Sequence, residues 1–542
     1  MNDSYTVPTS GNKSDNYKGI SFIGYLTIAA LFVLISVTAY VIFVGFSYYW
    51  DNMHSDIAGD LLFVREAAYQ GSLFPYGWPH LQEMRLVHLT TIVLLFYWIT
   101  GNIHLSYPLA VSFMLLVNMF LFYYMLSYRK RSMLPIILGF TVLLMFFSNY
   151  SQFSLFSILF INGSLAISLS TVLLTIGIYM RIKTGVEHGR NTIIALWTLS
   201  TVIAFAQGIQ STRMLIGLYF PLLVVECYPT IISILQNKGF DYKKINKSTI
   251  FTIICFIGNL MGIALIHALI NRGVVIVEYT LVTSGLRMIA NARLWDQISR
   301  FIPQVFYALG LTGGVNVYSL SGVAYLGRFF FIITLPIILV KTSARNIKDN
   351  IITRISLTSV CSLSIIMIIT LTGIGERFMF TLTLFLSMMV IMVVEYFVEN
   401  KRKVLICITC IFIFFMTAIN VNTLGVERRE LLIEDRQTVA NFIIQEGFSI
   451  GYGSFWNGLV LAAVGDFEFD VIYINATTFA TRPHGVTLER YNHNENRVFL
   501  VLTIGQTRDA LDNARTRAIL ESGERHDFRG GWVVFTFDHN PF

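Results

Sequence analysis

The sequence predicts a polytopic α-helical membrane protein with a C-terminal α/β domain, and three observations support this. Of its 542 residues, 55% are apolar, only 13% are charged, and the mean hydropathy is +0.63. A soluble protein of this size is about one-quarter charged. Apolar runs of about 20 residues, enough to cross a bilayer, recur along the chain. Residues 425–542 instead show short alternating apolar runs and helical patterns. Together these features exclude a disordered chain, a secreted disulfide scaffold and an ordinary cytosolic enzyme.

The apolar runs give about 11 predicted membrane spans. In chain order they are residues 21–46, 106–127, 133–147, 155–179, 192–208, 213–235, 249–271, 325–340, 355–373, 378–397 and 404–424. A further apolar run at 87–100 is short, and counting it as a crossing would place Arg129 and Arg131 outside. We therefore interpret it as a helix that dips in from the outer face or packs among other helices. The alternative is a twelfth span.

The lysines predict which side of the membrane each segment occupies. All 12 lie in the N-terminal tail or in short loops at every second crossing, as the positive-inside rule expects of cytoplasmic loops. This makes residues 1–20 a cytoplasmic tail and residues 21–424 a transmembrane domain with large outer loops at 47–105 and 272–324. Residues 425–542 are then extracytoplasmic. The first apolar run exceeds a signal-peptide core, which predicts a retained anchor in a multi-pass plasma-membrane protein.

The first outer loop carries an acidic pair on a predicted helix. Asp56 and Asp60 are four residues apart, hence on one helix face, where like charges repel. Leu61, Leu62 and Val64 follow a helical period, so residues 56–70 are predicted to form an amphipathic helix at the membrane interface. A cation, a basic neighbour or water must offset the repulsion, and a simply solvated acidic face is the plain alternative.

The tail is predicted to be a small α/β domain. Strand patterns lie at 448–455, 469–475, 497–504 and 532–538, and helical patterns at 430–446 and 507–521. The tail holds 11 arginines, no lysine and 16 acidic residues, so it is mildly acidic. A mildly acidic domain outside the membrane is a poor fit to nucleic acid, and we expect no such partner.

Several motifs resemble the membrane glycosyltransferases of the GT-C superfamily, such as protein O-mannosyltransferases and aminoarabinose transferases. The first outer loop has the order anchor, acid, helix, glycine, proline and apolar helix, read from Asp56-Ile-Ala-Gly-Asp60 to Gly71-Ser-Leu-Phe-Pro75. Gln82-Glu83-Met84-Arg85 departs from the common pattern and is similar to a group of uncharacterised bacterial members. Gly451-Tyr-Gly-Ser-Phe-Trp-Asn457 and Glu376-Arg-Phe378 resemble further motifs of that group.

The resemblance implies an inverting glycosyltransferase that moves a sugar from a polyprenyl-phosphate donor to a glycan, lipid or protein acceptor of the cell envelope. It makes Asp56 the carboxylate that activates the acceptor hydroxyl. The leaving phosphate needs cations or a metal. The outer-face candidates to bind that phosphate are arginines, namely Arg85, Arg213, Arg287, Arg293 and Arg377. A divalent metal ion is a further candidate, with Asp60, His80 and Glu83 as ligands; His54 and His88 are weaker ones.

Two other functions remain open from the residues alone. A flippase or transporter of lipid-linked glycan would need charged groups deep in several spans, where Glu226 and Glu395 lie only towards the cytoplasmic ends. A non-catalytic scaffold would use the tail to bind glycan, for which Tyr452, Phe455 and Trp456 could stack on sugar rings. We favour packing of these aromatic residues in the core of the tail domain or in its contact with the membrane part.

Overall fold

The computed structural model describes most of the chain. The described residues are 21–51, 53–80, 84–129, 131–146, 148, 155–185, 189–236, 246–275, 294–311, 316, 318–349, 351–369, 379–426, 431–482 and 487–542. Among them, ten helices are long and apolar enough to cross a membrane. The predicted class, a polytopic helical membrane protein with a C-terminal α/β part, is confirmed.

The membrane part consists of fourteen described helices. They are α1 (Phe22–Ser47), α2 (Ser55–Tyr69), α3 (Leu89–Thr100), α4 (Ile103–Leu126), α5 (Met133–Thr141), α6 (Ala166–Thr184), α7 (Arg190–Gln210), α8 (Phe220–Leu235), α9 (Lys247–Asn271), α10 (Leu294–Ala308), α11 (Leu320–Asp349), α12 (Ile351–Ile369), α13 (Phe380–Glu399) and α14 (Lys403–Val426). Short π-helical turns at Val142–Phe146, Ser157–Ile161 and Leu215–Tyr219 adjoin α5, α6 and α8.

Two of the apolar runs, 133–147 and 87–100, form helices too short to be among the ten long ones. The run 133–147 forms α5 and its π turn, together Met133–Phe146, which at 1.5 Å per residue spans about 21 Å of a roughly 30 Å hydrocarbon core. The run 87–100 forms α3, a helix of 12 residues, about 18 Å long by the same rise. α3 packs against α2 and α4, as predicted for a helix that packs among others.

Helices α7 and α9 cross closely because glycines face the partner backbone. A Cβ added at Gly208 would lie 2.1 Å from the Asn259 carbonyl oxygen, and one at Gly262 would lie 2.1 Å from the Phe205 carbonyl oxygen. Small residues that let helix backbones approach are the usual basis of packing within membranes. α7, which ends at Gln210, and α9 are therefore closely packed along their crossing.

The tail contains helix α15 (Leu431–Gln445) and one six-stranded mixed sheet. The strands are β1 (Ile450–Gly453), β2 (Asp470–Ile474), β3 (Thr481–Arg482), β4 (Val498–Thr503), β5 (Glu524–Phe528) and β6 (Trp532–Phe537), and the remaining helices are α16 (Phe455–Val464), α17 (Leu488–Tyr491), α18 (Ile504–Leu511) and α19 (Ala514–Glu521). The spatial order is β3-β2-β1-β4-β6-β5. β1 pairs in parallel with β2 and β4, whereas the outer pairings are antiparallel.

The tail domain covers helix α2, which corrects its predicted environment. α16 packs directly on α2, and Ile57, Leu61, Phe63 and Val64 of α2 are at most 2% exposed. These side chains share one hydrophobic core with Leu459 and its neighbours in α16. The prediction that the apolar face of α2 lies on a membrane surface was therefore wrong, because these side chains pack against the tail domain.

Candidate active site

Asp56 lies in the first turn of α2 and is the accessible acid of that helix. Its side chain is 41% exposed, whereas that of Asp60 is 6% exposed. The helix begins at Ser55 because the preceding His54 is extended and its Nδ1 accepts the Asp56 backbone N–H at 3.2 Å. The positive end of the helix dipole favours an ionised carboxylate at this position. Asp56 is thus an anionic group, partly open to solvent, at the end of a buried helix.

A chain of buried polar contacts fixes the turn that carries Asp56. The Tyr107 hydroxyl donates to the Asn162 carbonyl oxygen at 2.7 Å, and the Asn162 amide lies 3.3 Å from His54 Nε2. His54 Nδ1 lies 4.0 Å from Asp56 Oδ2. Burial lowers the pKa of His54, although Asp56 and Asp60 partly oppose that shift. A neutral His54 therefore caps α2 without neutralising Asp56.

Asp60 forms an ion pair with Arg85. This pair offsets the repulsion between Asp56 and Asp60 that their spacing predicts. Arg85 Nε donates to Asp60 Oδ1 at 2.8 Å, with the two side chains only 12% and 6% exposed. The guanidinium also lies over the Phe63 ring, 5.3 Å from its centroid. His88 Nδ1 approaches Asp60 Oδ2 at 3.9 Å. Arg85 therefore lies against α2 and contributes half of a buried ion pair.

The Arg85 segment also touches the turn that carries Arg213. The Val87 backbone N–H donates to Gln210 Oε1 at 2.8 Å, and Gln210 ends α7. The turn Gln210-Ser-Thr-Arg213 follows directly, and Arg213 is half-buried. The two segments that carry Arg85 and Arg213, both predicted to bind phosphate, are thus joined through one backbone-to-side-chain hydrogen bond.

His80 lies beside Arg85 in an apolar setting. Burial, with the Arg85 charge as a second cause, lowers the pKa of His80 to about 4. Its Nδ1 is buried and has no hydrogen-bond partner. A neutral imidazole with a free nitrogen suits a metal, but the nearby Arg85 disfavours a divalent cation and already binds Asp60. Within the described part of the chain, no three His, Cys, Asp or Glu side chains converge on a metal site.

The tail domain closes over α2 through two arginines. Arg65, on α2, donates to the Phe467 carbonyl oxygen at 3.0 Å and lies 3.4 Å from Asp470 Oδ1. Arg436, on α15, donates from Nη1 to the Met53 carbonyl oxygen at 3.0 Å. Met53 is fully buried and precedes the cap residue His54. The tail is therefore part of the wall around the start of α2.

The structure brings five of the nine predicted site residues into this region. Asp56, Asp60, His80 and Arg85 surround α2, and Arg213 lies on the adjoining turn. The other four, Glu83, Arg287, Arg293 and Arg377, lie outside the described residues. The roles assigned to all nine residues, including the predicted metal ion, stay predictions.

Sequence reasoning missed three residues that shape the site. Arg436, Asn162 and Tyr107 come from helices and turns far along the chain, and no local motif marks them. The sequence does contain one signal for the role of His54. A histidine followed by Ser-Asp, just before an apolar helical period, can cap a helix through a ring nitrogen. The sequence predicts His54 only as a weak candidate metal ligand, whereas in the structure it is the N-cap of α2.

Among known proteins, this chain is similar in fold to a solved structure but matches no family by sequence. No family model and no curated protein matches the chain. A solved structure does: ArnT from Cupriavidus metallidurans bound to undecaprenyl phosphate, with a TM-score of 0.54 at 11% identity, covering 95% of this chain and 98% of that one. The likeness shows that this chain has the same overall fold as ArnT. At this identity it shows the arrangement of the chain, and the chemistry must be argued from the residues.

Proposed function

We propose that this protein is an inverting glycosyltransferase that moves a sugar from a polyprenyl-phosphate donor to a cell-envelope acceptor on the outer face of the membrane. One observation carries the proposal: Asp56 stands partly exposed at the start of an otherwise buried helix, where polar contacts from α4, the Asn162 turn and the tail hold it. The likeness to ArnT, whose structure holds undecaprenyl phosphate, supports the class of donor.

In the proposed reaction, Asp56 accepts the proton of an acceptor hydroxyl as its oxygen attacks the anomeric carbon. The new bond joins that oxygen to the sugar, and the bond between the sugar and the phosphate oxygen breaks. Its electron pair leaves with the phosphate, whose negative charge increases. Arginines suit this leaving group because a planar guanidinium matches phosphate oxygens. Arg213, Arg287, Arg293 and Arg377 remain the proposed partners, with Arg85 already bound to Asp60.

The proposal includes an orientation, with the N-terminus inside and residues 425–542 outside. It rests on the lysine distribution and on the positive-inside rule. Cysteines introduced at Lys401 and at Glu521, both exposed, test it with a membrane-impermeant thiol reagent on intact cells. Labelling at 521 and protection at 401 is the expected pattern, and the opposite pattern would contradict the orientation.

The activity is tested with Asp56→Asn, which keeps the shape of the side chain and removes the base. Membranes holding the variant and a radiolabelled polyprenyl-phosphate sugar pool should show transfer to the envelope fraction reduced at least about 10²-fold, the usual share of a general base. Glu66→Gln, on the same helix, is the matched control and should leave transfer unchanged. Normal transfer by Asp56→Asn, inserted at wild-type level, would remove Asp56 from the mechanism.

The transporter alternative finds less support in the buried charges. Glu226 accepts hydrogen bonds from Lys183 at 2.5 Å and Ser248 at 2.7 Å, and Glu395 pairs with Arg131 at 3.0 Å. Each acid thus ties helices together near one end of the bundle. Such satisfied pairs are typical of structural contacts and differ from the open ionisable groups of a translocation path.

The scaffold alternative has one observation in its favour, because Trp456 is 56% exposed at the start of α16. Tyr452, by contrast, is 4% exposed and bonded to Asn540, as core packing predicts. Two variants of the full chain distinguish a scaffold from an enzyme. A scaffold is favoured if Trp456→Ala loses glycan binding while Asp56→Asn remains fully functional in cells.

A further inference from the structure

Arg436 is a half-buried cation that the tail domain supplies to the start of α2. The contact to the Met53 carbonyl oxygen joins residues 383 positions apart in sequence. Burial lowers the pKa of Arg436, because the charged form loses water. A guanidinium nevertheless stays protonated in proteins. Arg436 therefore places a permanent positive charge inside the interface between the tail and the membrane part.

This charge has no acidic partner among the described residues. Arg436 Nε is buried without a hydrogen-bond acceptor, and every Asp or Glu oxygen in the described ranges is more than 4.0 Å from its guanidinium. Two other arginines that contact or belong to α2 are paired, Arg65 with Asp470 and Arg85 with Asp60. Withdrawing a charge from water is costly unless it is paired, and half-buried Arg436 lacks the anion that Arg65 and Arg85 possess.

The surroundings of Arg436 supply further donors. Ser55 is fully buried, and its Oγ has no partner in the described structure. Ser55 also opens α2, whose first backbone N–H groups and dipole favour a negative charge. His54, between Met53 and Ser55, is held neutral by burial. Ser55 lies two residues after Met53, whose carbonyl oxygen Arg436 contacts, so a buried hydroxyl and a cation without an acid lie near the same helix start, beside Asp56.

We propose that Arg436, together with Ser55 and the start of α2, binds the phosphate of the lipid donor, so that the tail domain completes the active site. The inference rests on the proposed function and names a phosphate ligand that the loop motifs did not contain. As the bond between sugar and phosphate breaks, the electron pair moves onto phosphate oxygen. A guanidinium in a site shielded from water stabilises that growing charge. Docking of the tail then controls whether the site is complete.

The proposal separates two roles of Arg436 by substitution. Gln can still donate to the Met53 carbonyl oxygen but carries no charge, whereas Lys keeps the charge and loses the planar fork. Arg65→Gln is the matched control, because Arg65 also joins α2 to the tail but is already paired with Asp470. A role limited to positioning Met53 predicts rescue by Gln; a phosphate-binding role predicts partial rescue by Lys.

The test measures binding of undecaprenyl phosphate to the full-length protein in nanodiscs of phosphatidylethanolamine and phosphatidylglycerol. We expect Arg436→Gln to weaken binding at least tenfold, Arg436→Lys to weaken it about threefold, and Arg65→Gln to bind like the wild type. Wild-type binding by Arg436→Gln would overturn the proposal, as would equal loss in Gln and Lys. Competition by excess phosphatidylglycerol would also overturn it, because the site would then accept ordinary lipid headgroups.

The inference and the proposed function fail in different ways. If Asp56→Asn abolishes sugar transfer while Arg436→Gln binds undecaprenyl phosphate normally, the glycosyltransferase stands and the role of Arg436 falls. If the wild-type protein does not bind undecaprenyl phosphate at all, both the donor class and the role of Arg436 are contradicted.

Discussion

The ion pair between Asp60 and Arg85 gives a prediction whose size follows from burial. Asp60→Asn keeps the side-chain shape but leaves the Arg85 guanidinium, 12% exposed, without its 2.8 Å partner. Breaking a buried pair by removing one partner costs about 3–5 kcal/mol, because a buried charge is left uncompensated. We expect a loss of that size in the free energy of unfolding, measured by sodium dodecyl sulfate titration in mixed micelles with tryptophan fluorescence.

Two further variants test whether burial is the cause. Asp60→Leu with Arg85→Met removes both charges and should recover most of the loss, since an apolar pair of similar volume is often neutral. Asp527→Asn breaks a pair of the same 2.8 Å length whose partners, Asp527 and Arg525, are 60% and 48% exposed. It should cost at most about 1 kcal/mol. Equal losses in Asp60→Asn and Asp527→Asn would refute the reasoning.

Three other predictions concern the same region. Burial and the Arg85 charge lower the pKa of His80 to about 4, so His80 is neutral in the fold and the unfolded chain binds the extra proton. Stability should therefore fall as pH drops from about 6.5, the ordinary pKa of histidine, to about 4. At 1.36 kcal/mol per unit the loss approaches about 3 kcal/mol; His80→Phe should flatten that slope, and an unchanged slope in denaturation curves would contradict it. His54→Ala should cost about 1 kcal/mol by removing the cap of α2 and should lower sugar transfer, whereas His54→Asn, which can also cap, should restore both; failure of Asn to restore either would leave the cap without a role. Because Arg85 already neutralises Asp60, transfer should survive chelation by EDTA, and a loss reversed by added Mg²⁺ or Mn²⁺ would instead favour Asp60, His80 and Glu83 as ligands.

Much of the membrane part could be predicted because span length and apolar content are local properties. The first run, 21–46, is realised as Phe22–Ser47, and the run 404–424 as Lys403–Val426. The surroundings of α2 could not be predicted in this way. An apolar stripe on residues 56–70 is equally compatible with a lipid surface and with another domain, and only the packing of α16 decides between them.

The tail sheet shows the same division between local and distant causes. The strands with continuous apolar character, such as Val498–Thr503 and Trp532–Phe537, match their predicted positions. The strand Glu524–Phe528 was missed because its residues Glu-Arg-His-Asp-Phe are polar, as suits an edge strand with largely exposed side chains. The pattern 507–521 predicts one helix, but the structure has two, Ile504–Leu511 and Ala514–Glu521, and Asn513 caps the second.

The candidate site was predictable where the chemistry is adjacent in sequence. Asp56 and Asp60 could be placed on one helix from their spacing, and a basic neighbour was one of the offered solutions to their repulsion. That the neighbour is Arg85, 25 residues away, depends on the path of the loop. Arg436 depends on how two domains dock, which no periodicity in either domain encodes.

The central claim is that the chemistry takes place at the start of α2, beneath the tail domain. The most direct measurement is an experimental structure of the protein in a lipid nanodisc with undecaprenyl phosphate. The account predicts phosphate density within hydrogen-bond distance of the Arg436 guanidinium and of the first turn of α2, with Asp56 facing the adjoining space. Phosphate density held elsewhere, with the Arg436 and Ser55 side chains still without an anion, would contradict it.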